Sequence, residues 1–117
     1  MREPEQMAEA LLPVREQGFR AFKIGWGPFG TGTAARDEAI VRAARDAAGP
    51  DSLLMVDAGA SDAFWPRDYK WALRTAEMLR DYDVAWFEEP LVPDALEDYT
   101  ALRRASAVPI AGGEVLT

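Results

Sequence analysis

Four short apolar runs divide the sequence, and stretches with helical spacing lie between them. Runs of this length, bounded by turn residues, are typical of buried strands. Strands that alternate with helices pair in parallel through right-handed crossovers. The sequence therefore predicts an α/β fold with four parallel strands: Ala21-Phe22-Lys23-Ile24, Leu53-Leu54-Met55-Val56, Val84-Ala85-Trp86-Phe87 and Val108-Pro109-Ile110-Ala111.

The helix between the first two strands has the clearest pattern. Its apolar residues share one face from Ala34 to Ala48, and Gly49-Pro50 then stops it. A second helix is predicted from about Asp68 to Arg80, again with one apolar stripe. The chain therefore consists of repeated strand and helix units.

The first and last helices carry local signals that make specific predictions. The last helix follows Asp94, whose carboxylate is expected to cap it while Glu97 completes a capping-box-like pair. The first helix, Glu5 to Gln17, contains Pro13. Because proline removes a backbone donor and clashes with the preceding turn, Pro13 is expected to kink or divide this helix.

Two architectures are compatible with parallel strands, an open doubly wound sheet and a closed eight-stranded barrel. A closed barrel typically needs about 250 residues, and this sequence has 117. A helix without a preceding strand starts the chain, and no helix follows the last strand. The chain is therefore predicted to be a piece of a larger barrel, with exposed edges at the first and fourth strands that invite pairing or aggregation.

Charge and composition exclude several classes of function. The net charge is -7, from 20 acidic and 13 basic residues, so nucleic acids and anionic membrane surfaces are poor partners. Histidine and cysteine are both absent, which excludes zinc sites built on them and leaves Lys, Asp, Glu or Tyr as a general base. No membrane span or signal peptide is visible. We expect a cytoplasmic protein.

Three acidic residues, Asp57, Glu88 and Glu114, stand at the ends of successive strands, each about one strand and helix unit from the next. Ligand sites of parallel α/β proteins lie beyond these carboxyl ends. Because neighbouring strands are ~4.8 Å apart, the carboxylates should converge and repel one another unless a cation binds. Oxygen ligands favour Mg²⁺, ahead of Mn²⁺ or Ca²⁺. The alternative is that each acid is a helix cap or a solvated loop residue.

The adjacent glutamates Glu88 and Glu89 require a choice, because side chains alternate across a strand and only one can face the site. We assign Glu88 to the site. Glu89 should then point toward the helices or cap a loop, and the opposite assignment is the alternative.

The glycine-rich segment that begins at Gly25 fits Gly-x-Gly-x-x-Gly and follows a strand, so a dinucleotide site is an alternative. Such a site requires the helix to open within the glycines. Here the helix is expected to start near Thr33, beyond the last glycine of the motif, Gly30. The segment is therefore better interpreted as an active-site loop.

The acidic segments resemble the metal-binding barrel of the enolase superfamily, in its mandelate racemase and muconate lactonizing enzyme-like group. The resemblance implies a (β/α)7β TIM-type barrel, with residues 1–117 forming strands two to five and the capping domain and later strands absent. It implies Mg²⁺ held by Asp57, Glu88 and Glu114, a sugar-acid substrate and a homo-oligomeric parent protein. The segments that carry it are Leu54-Met55-Val56-Asp57-Ala58, Trp86-Phe87-Glu88-Glu89-Pro90 and Pro109-Ile110-Ala111-Gly112-Gly113-Glu114.

Lys23 matches the first lysine of the family's Lys-x-Lys motif, a position that usually contacts the substrate carboxylate. Gly25 replaces the second lysine, which is commonly a base, so the resemblance implies that another group, outside this chain, takes the proton. Gly59 stands where the family often has asparagine. With Gly25 it is expected to widen the mouth for a bulky polyol acid. The alternative for Lys23 is a solvated lysine at a strand end.

The resemblance implies abstraction of the proton α to a carboxylate, with the metal stabilising the enediolate. We expect an acid-sugar dehydratase, because the Lys-x-Gly pattern and a roomy mouth suit a polyol acid. A racemase, epimerase or cycloisomerase is the second candidate. The third, from a different class, is a catalytically inert fragment that binds metal or associates with itself.

Overall fold

Helices and strands alternate along the described chain, which comprises residues 4–25, 29–59 and 68–112 of a computed structural model. A short 3-10 turn at Pro4–Gln6 leads into the first helix. The elements that follow are α1 Met7–Glu16, β1 Ala21–Gly25, α2 Ala34–Ala48, β2 Leu53–Asp57, α3 Tyr69–Asp81, β3 Phe87–Glu88, α4 Leu96–Ala105 and β4 Ile110–Ala111.

The four strands form one parallel sheet in the order β1-β2-β3-β4, so the predicted α/β class and parallel pairing are confirmed. The order leaves β1 and β4 as the two edges of the described sheet, as expected. In the register, Gly25 pairs with Asp57, and Asp57 pairs with Glu88. Three neighbouring strands therefore bring these residues into one row.

The two faces of the sheet have opposite characters. Side chains on one face are buried among the helices and form the main core, which includes Phe22, Leu54, Val56 and Phe87. On the other face Leu53 is 58% exposed. Because side chains alternate along a strand, the row that contains Asp57 and Glu88 lies on this second, more open face.

The helix caps show why α2 and α3 start and stop where the sequence predicted. The Thr33 hydroxyl accepts a hydrogen bond from the Arg36 N–H, and Asp68 caps α3 through the Trp71 N–H. Both bonds satisfy backbone donors that the first helical turn leaves free. Helix α2 is followed by Gly49 at φ 92°, a conformation that glycine adopts without strain. Among the described helices, none is long and apolar enough to cross a membrane.

The prediction for Asp94 was wrong, and one of the two outcomes expected at Pro13 is contradicted. Pro13 does not divide α1, which continues through it as one helix. A proline removes one backbone donor, while the packing of Met7, Leu11 and Val14 into the core keeps the helix together. Asp94 does not cap α4, because the N-cap residue is Ala95 and no side chain caps this helix.

Arg45 fixes the end of the sheet opposite the acidic row. Its guanidinium donates to the backbone carbonyls of Gly49 and Ser52, which lead into β2, and to those of Tyr82 and Asp83, which follow α3. One planar group with several donors can bind several carbonyls at once. These hydrogen bonds hold the turn before β2 next to the turn after α3, at the end of the sheet away from Asp57 and Glu88.

Candidate active site and metal centre

Lys23, Asp57 and Glu88 meet at the carboxyl ends of β1, β2 and β3. The Lys23 Nζ lies 3.3 Å from both carboxylate oxygens of Glu88 and 3.6 Å from Oδ2 of Asp57. The Lys23 side chain is 46% exposed, whereas those of Asp57 and Glu88 are 7% and 14% exposed. Two largely buried carboxylates therefore share one more exposed ammonium group.

The Asp57 carboxylate is held by the backbone of the loop that it begins. Its Oδ1 accepts a hydrogen bond from the Gly59 N–H at 2.8 Å, which leaves Oδ2 directed toward Lys23. Burial raises the pKa of Asp57, and the neighbouring Glu88 raises it further, against the opposing effects of the Gly59 N–H and Lys23. Asp57 is thus the member of the pair that retains a proton more readily.

Glu88 behaves in the opposite way. Burial opposes its ionisation, but hydrogen bonds from Trp86 and Lys23 outweigh burial and lower the pKa of Glu88 below its usual range. The Trp86 Nε1–H donates to Oε1 of Glu88 at 3.1 Å. This indole was not among the site residues predicted from the sequence. The spacing of two residues, which places both side chains on one face of a strand, was the signal available.

The described part of the site suits a hard divalent cation. Two carboxylates converge on it without a nitrogen or sulfur ligand, which is the chemistry that Mg²⁺ prefers. The pKa of Asp57 is raised partly by Glu88, a repulsion that a cation between the two would relieve. In residues 4–25, 29–59 and 68–112, no cluster of three or more His, Cys, Asp or Glu could hold an ion. The predicted third ligand, Glu114, lies outside the described residues.

The two glycines expected to widen the mouth both lie in tightly packed backbone. Gly25 has φ 105°, and a Cβ atom built on it would overlap the carbonyl oxygen of Asp57. A Cβ on Gly59 would lie 3.0 Å from Oδ1 of Asp57 and 3.1 Å from the Cβ of Glu89. Because both positions are filled by neighbouring atoms, the glycines permit a close approach of the strand ends rather than a larger opening.

The structure separates the two adjacent glutamates. Glu88 contacts Lys23, as the choice between them predicted. Glu89 is 3% exposed and has φ 51°, which is unusual for a residue with a side chain. It lies beside Gly59 and Gly112 and lines a groove between α4 and β4.

Residues 29–33 are the described part of the segment between β1 and α2, and the first two of them are buried against the core. Helix α2 begins after Thr33, beyond Gly30, as predicted. The Gly30 N–H donates to Oδ1 of the buried Asp37 at 3.0 Å, and the fully buried Phe29 packs edge-on against Trp71. The helix therefore does not open within the glycines, which argues against the dinucleotide alternative.

The sequence matches known proteins across nearly its whole length. The family model described as enolase C-terminal domain-like matches residues 5–117. The D-galactarolactone cycloisomerase of Agrobacterium fabrum is 36% identical over 107 residues, which cover 92% of this chain and 26% of that protein. This chain thus spans about a quarter of the length of that relative.

Solved structures share the same arrangement of strands and helices. A predicted mandelate racemase from Rhodobacter sphaeroides has a TM-score of 0.84 at 40% identity, over 96% of this chain and 28% of that chain. An L-talarate/galactarate dehydratase variant liganded with Mg and L-glucarate also has a TM-score of 0.84, at 30% identity, over 99% of this chain and 27% of its own. These similar proteins are lyases and isomerases.

Proposed function

Because the chain belongs to the enolase C-terminal domain-like family, we propose that residues 1–117 supply the metal-binding part of an active site that removes the proton α to a carboxylate. The observation that carries this proposal is the meeting of Lys23, Asp57 and Glu88 at the strand ends. In the proposal, these strands are the second to fifth of the parent protein's barrel. Strand ends are where barrel enzymes position catalytic groups.

Asp57, Glu88 and Glu114 hold Mg²⁺ in this proposal. The first two carboxylates already converge, and the third belongs to the segment that follows β4. When bound, the ion supplies positive charge that stabilises the enediolate formed as the α-proton leaves. The mutual repulsion of Asp57 and Glu88, which costs stability in the folded protein, is then relieved by the ligand that the site is built to bind.

Lys23 acts as the electrostatic partner of the substrate carboxylate. Its ammonium group is the more exposed member of the cluster, so it can meet a substrate while its stem remains on β1. The proton is taken by a group elsewhere in the parent protein. Gly25 offers no base, and a Cβ at this position would overlap the Asp57 carbonyl oxygen in the present backbone conformation.

The reaction proposed is dehydration of a sugar acid. The α-proton is removed, the β-hydroxyl leaves as water, and the resulting enol tautomerises to a 2-keto acid. Support comes from the similar dehydratase crystallised with Mg and L-glucarate. The similar cycloisomerase supports the alternative. In that reaction the α-proton is also removed, but the substrate is isomerised and no water is lost.

The test is a magnesium-dependent assay on the parent protein with galactarate, L-talarate, L-glucarate and galactarolactone. We expect a 2-keto acid from at least one open-chain diacid, and complete loss of product when a chelator removes the metal. Turnover of the lactone alone would favour the cycloisomerase. Chelator-resistant turnover, or none with any of these acids, would contradict the proposed chemistry.

Magnesium affinity is expected to fall as the pH falls through the raised pKa of Asp57. The ion binds the ionised carboxylate, whereas the folded protein without metal retains this proton to a higher pH than a free aspartate does. Calorimetric titrations from neutral pH down to the lowest pH at which the protein stays folded, in buffers of different ionisation enthalpy, would report the affinity and the protons released. A midpoint of the affinity loss at or below the pKa of a free aspartate would contradict the prediction.

A further inference from the structure

Trp86 stands immediately before β3 and shares a face with Glu88, two residues later. Its indole ring is half-buried, and its Nε1–H donates to Oε1 of Glu88 at 3.1 Å. The function proposed above gives this residue no role. Lys23 also donates to Glu88, so Trp86 is one of two nitrogen donors that reach this carboxylate among the described residues.

Lys23 and Trp86 differ in which oxygens of the Glu88 carboxylate they bind. Lys23 lies 3.3 Å from Oε1 and 3.3 Å from Oε2, so it does not distinguish between them. Trp86 binds Oε1 alone. An indole is a rigid donor that cannot accept a hydrogen bond or lose its proton near neutral pH, whereas a lysine ammonium rotates on a flexible stem. Of these two nitrogen donors, Trp86 is therefore the one that distinguishes Oε1 of Glu88 from Oε2.

We propose that Trp86 is a positioning residue, whose indole N–H holds Oε1 of Glu88 so that the carboxylate is oriented before the metal ion arrives. This proposal rests on the metal site of the proposed function. Groups that bond to metal ligands typically change affinity by 10–100-fold when they are removed, because they orient the ligand and restrict its motion. Trp86 would contribute to Mg²⁺ binding without touching the ion.

A matched control lies on the opposite face of the sheet. Trp71 packs against Phe29 and Phe87, with ring centroids 6.2 and 5.8 Å away. Trp86→Phe and Trp71→Phe each remove one indole N–H and retain an aromatic ring. The two variants therefore separate the loss of the Glu88 bond from the general cost of replacing a tryptophan in this fold.

The first measurement is calorimetric titration of Mg²⁺ into the parent protein and its variants. We expect Trp86→Phe to weaken binding about tenfold, equivalent to about 1.4 kcal/mol, and Trp71→Phe to bind within about twofold of wild type. In a Glu88→Gln background, which already weakens the site, Trp86→Phe should have little further effect. Wild-type affinity in Trp86→Phe would overturn the positioning role and leave the metal site intact.

The second measurement reports the bond itself, without any metal. The indole N–H resonance of Trp86 in a ¹H–¹⁵N spectrum, identified by its loss in Trp86→Phe, should shift in Glu88→Gln and shift again on addition of Mg²⁺ to wild type. The Trp71 resonance should stay in place in both cases. An unmoved Trp86 resonance would overturn the proposal. Failure of the wild type to bind Mg²⁺ would overturn the proposed metal site and this role together.

Discussion

Gly25→Ala is expected to lower the free energy of unfolding by about 3 kcal/mol or more. The backbone at this position has φ 105°, where a side chain is strained, and the new Cβ would overlap the Asp57 carbonyl oxygen. Relief of that overlap requires β1 and β2 to separate at the end where Lys23 and Asp57 meet. The substitution should therefore lower the stability of the fold and also disturb the contact between Lys23 and Asp57.

Urea denaturation of the parent protein measures this effect, and Gly32→Ala is the matched control. Gly32 is exposed, and a Cβ there would lie at an ordinary distance of 3.4 Å from the Arg36 side chain. The control should change stability by about 0.5 kcal/mol or less. Equal stability of Gly25→Ala and Gly32→Ala would show that the strand ends are less tightly packed than the structure indicates.

The overlap at position 25 also bears on a variant that restores the family's second lysine. Gly25→Lys should be destabilised at least as much as Gly25→Ala, because it adds the same Cβ, and it should supply no base to the active site. The local backbone conformation therefore requires glycine at this position, in addition to the loss of a catalytic side chain.

Asp57→Asn is expected to weaken Mg²⁺ binding by about 100-fold or more while leaving the metal-free protein as stable as wild type or more so. An asparagine oxygen can still accept the hydrogen bond from Gly59, so the loop geometry is retained. What is lost is a buried negative charge beside Glu88. Binding and stability should therefore respond in opposite directions to one substitution.

The sign of the stability effect follows from the pKa of Asp57. Because that pKa is higher in the folded protein than in the unfolded chain, the folded state binds the proton more tightly. The stability contributed by this group is fully present below the unfolded pKa and is lost as the pH rises through the folded pKa. At neutral pH without metal, the ionised Asp57 is thus a cost, which asparagine removes.

Calorimetry and urea denaturation, with and without Mg²⁺, would test the two effects separately. Asp51→Asn is the control, because this exposed aspartate precedes the opposite end of the same strand. It should bind Mg²⁺ as wild type does. A large loss of metal-free stability in Asp57→Asn would mean that the ion pair with Lys23 outweighs the repulsion from Glu88.

At the strand ends, close packing of the backbone is linked to the burial of two carboxylates beside each other. Gly25 allows β1 to approach the backbone of Asp57, and that approach lets Lys23 reach both carboxylates. The packing that assembles the cluster thereby buries like charges together. Lys23, Trp86 and the Gly59 N–H each compensate part of that cost.

Local periodicity was sufficient to predict most of the architecture. The spacing of apolar residues gave α2 its exact bounds, Ala34–Ala48, and placed α3 and the two longer strands within a residue or so. It also placed Asp57 and Glu88 at adjacent strand ends. These features depend on contacts within one helix or along one strand, and the pattern of buried residues records them directly.

Features that depend on the detailed backbone path, or on groups distant in the chain, were not accessible in this way. The sequence pattern around Asp94 is compatible with a cap, yet the chain enters α4 differently, because a short polar motif suits several backbone paths. Gly25 and Gly59 suggested open space, whereas the Asp57 backbone lies against Gly25 from the neighbouring strand and Glu89 approaches Gly59 from the residue after β3. The bond from Trp86 depends on the rotamers of both side chains.

The sequence alone thus determined which residues would reach the carboxyl edge of the sheet, because a parallel fold with period-two strands leaves little choice about where strand ends lie. Tertiary packing decided the hydrogen bonds and the electrostatic interactions among those residues. Burial beside Glu88 raises the pKa of Asp57, and donors from Trp86 and Lys23 lower that of Glu88. Such energies depend on distances of a few ångströms between separate strands, which no local pattern encodes.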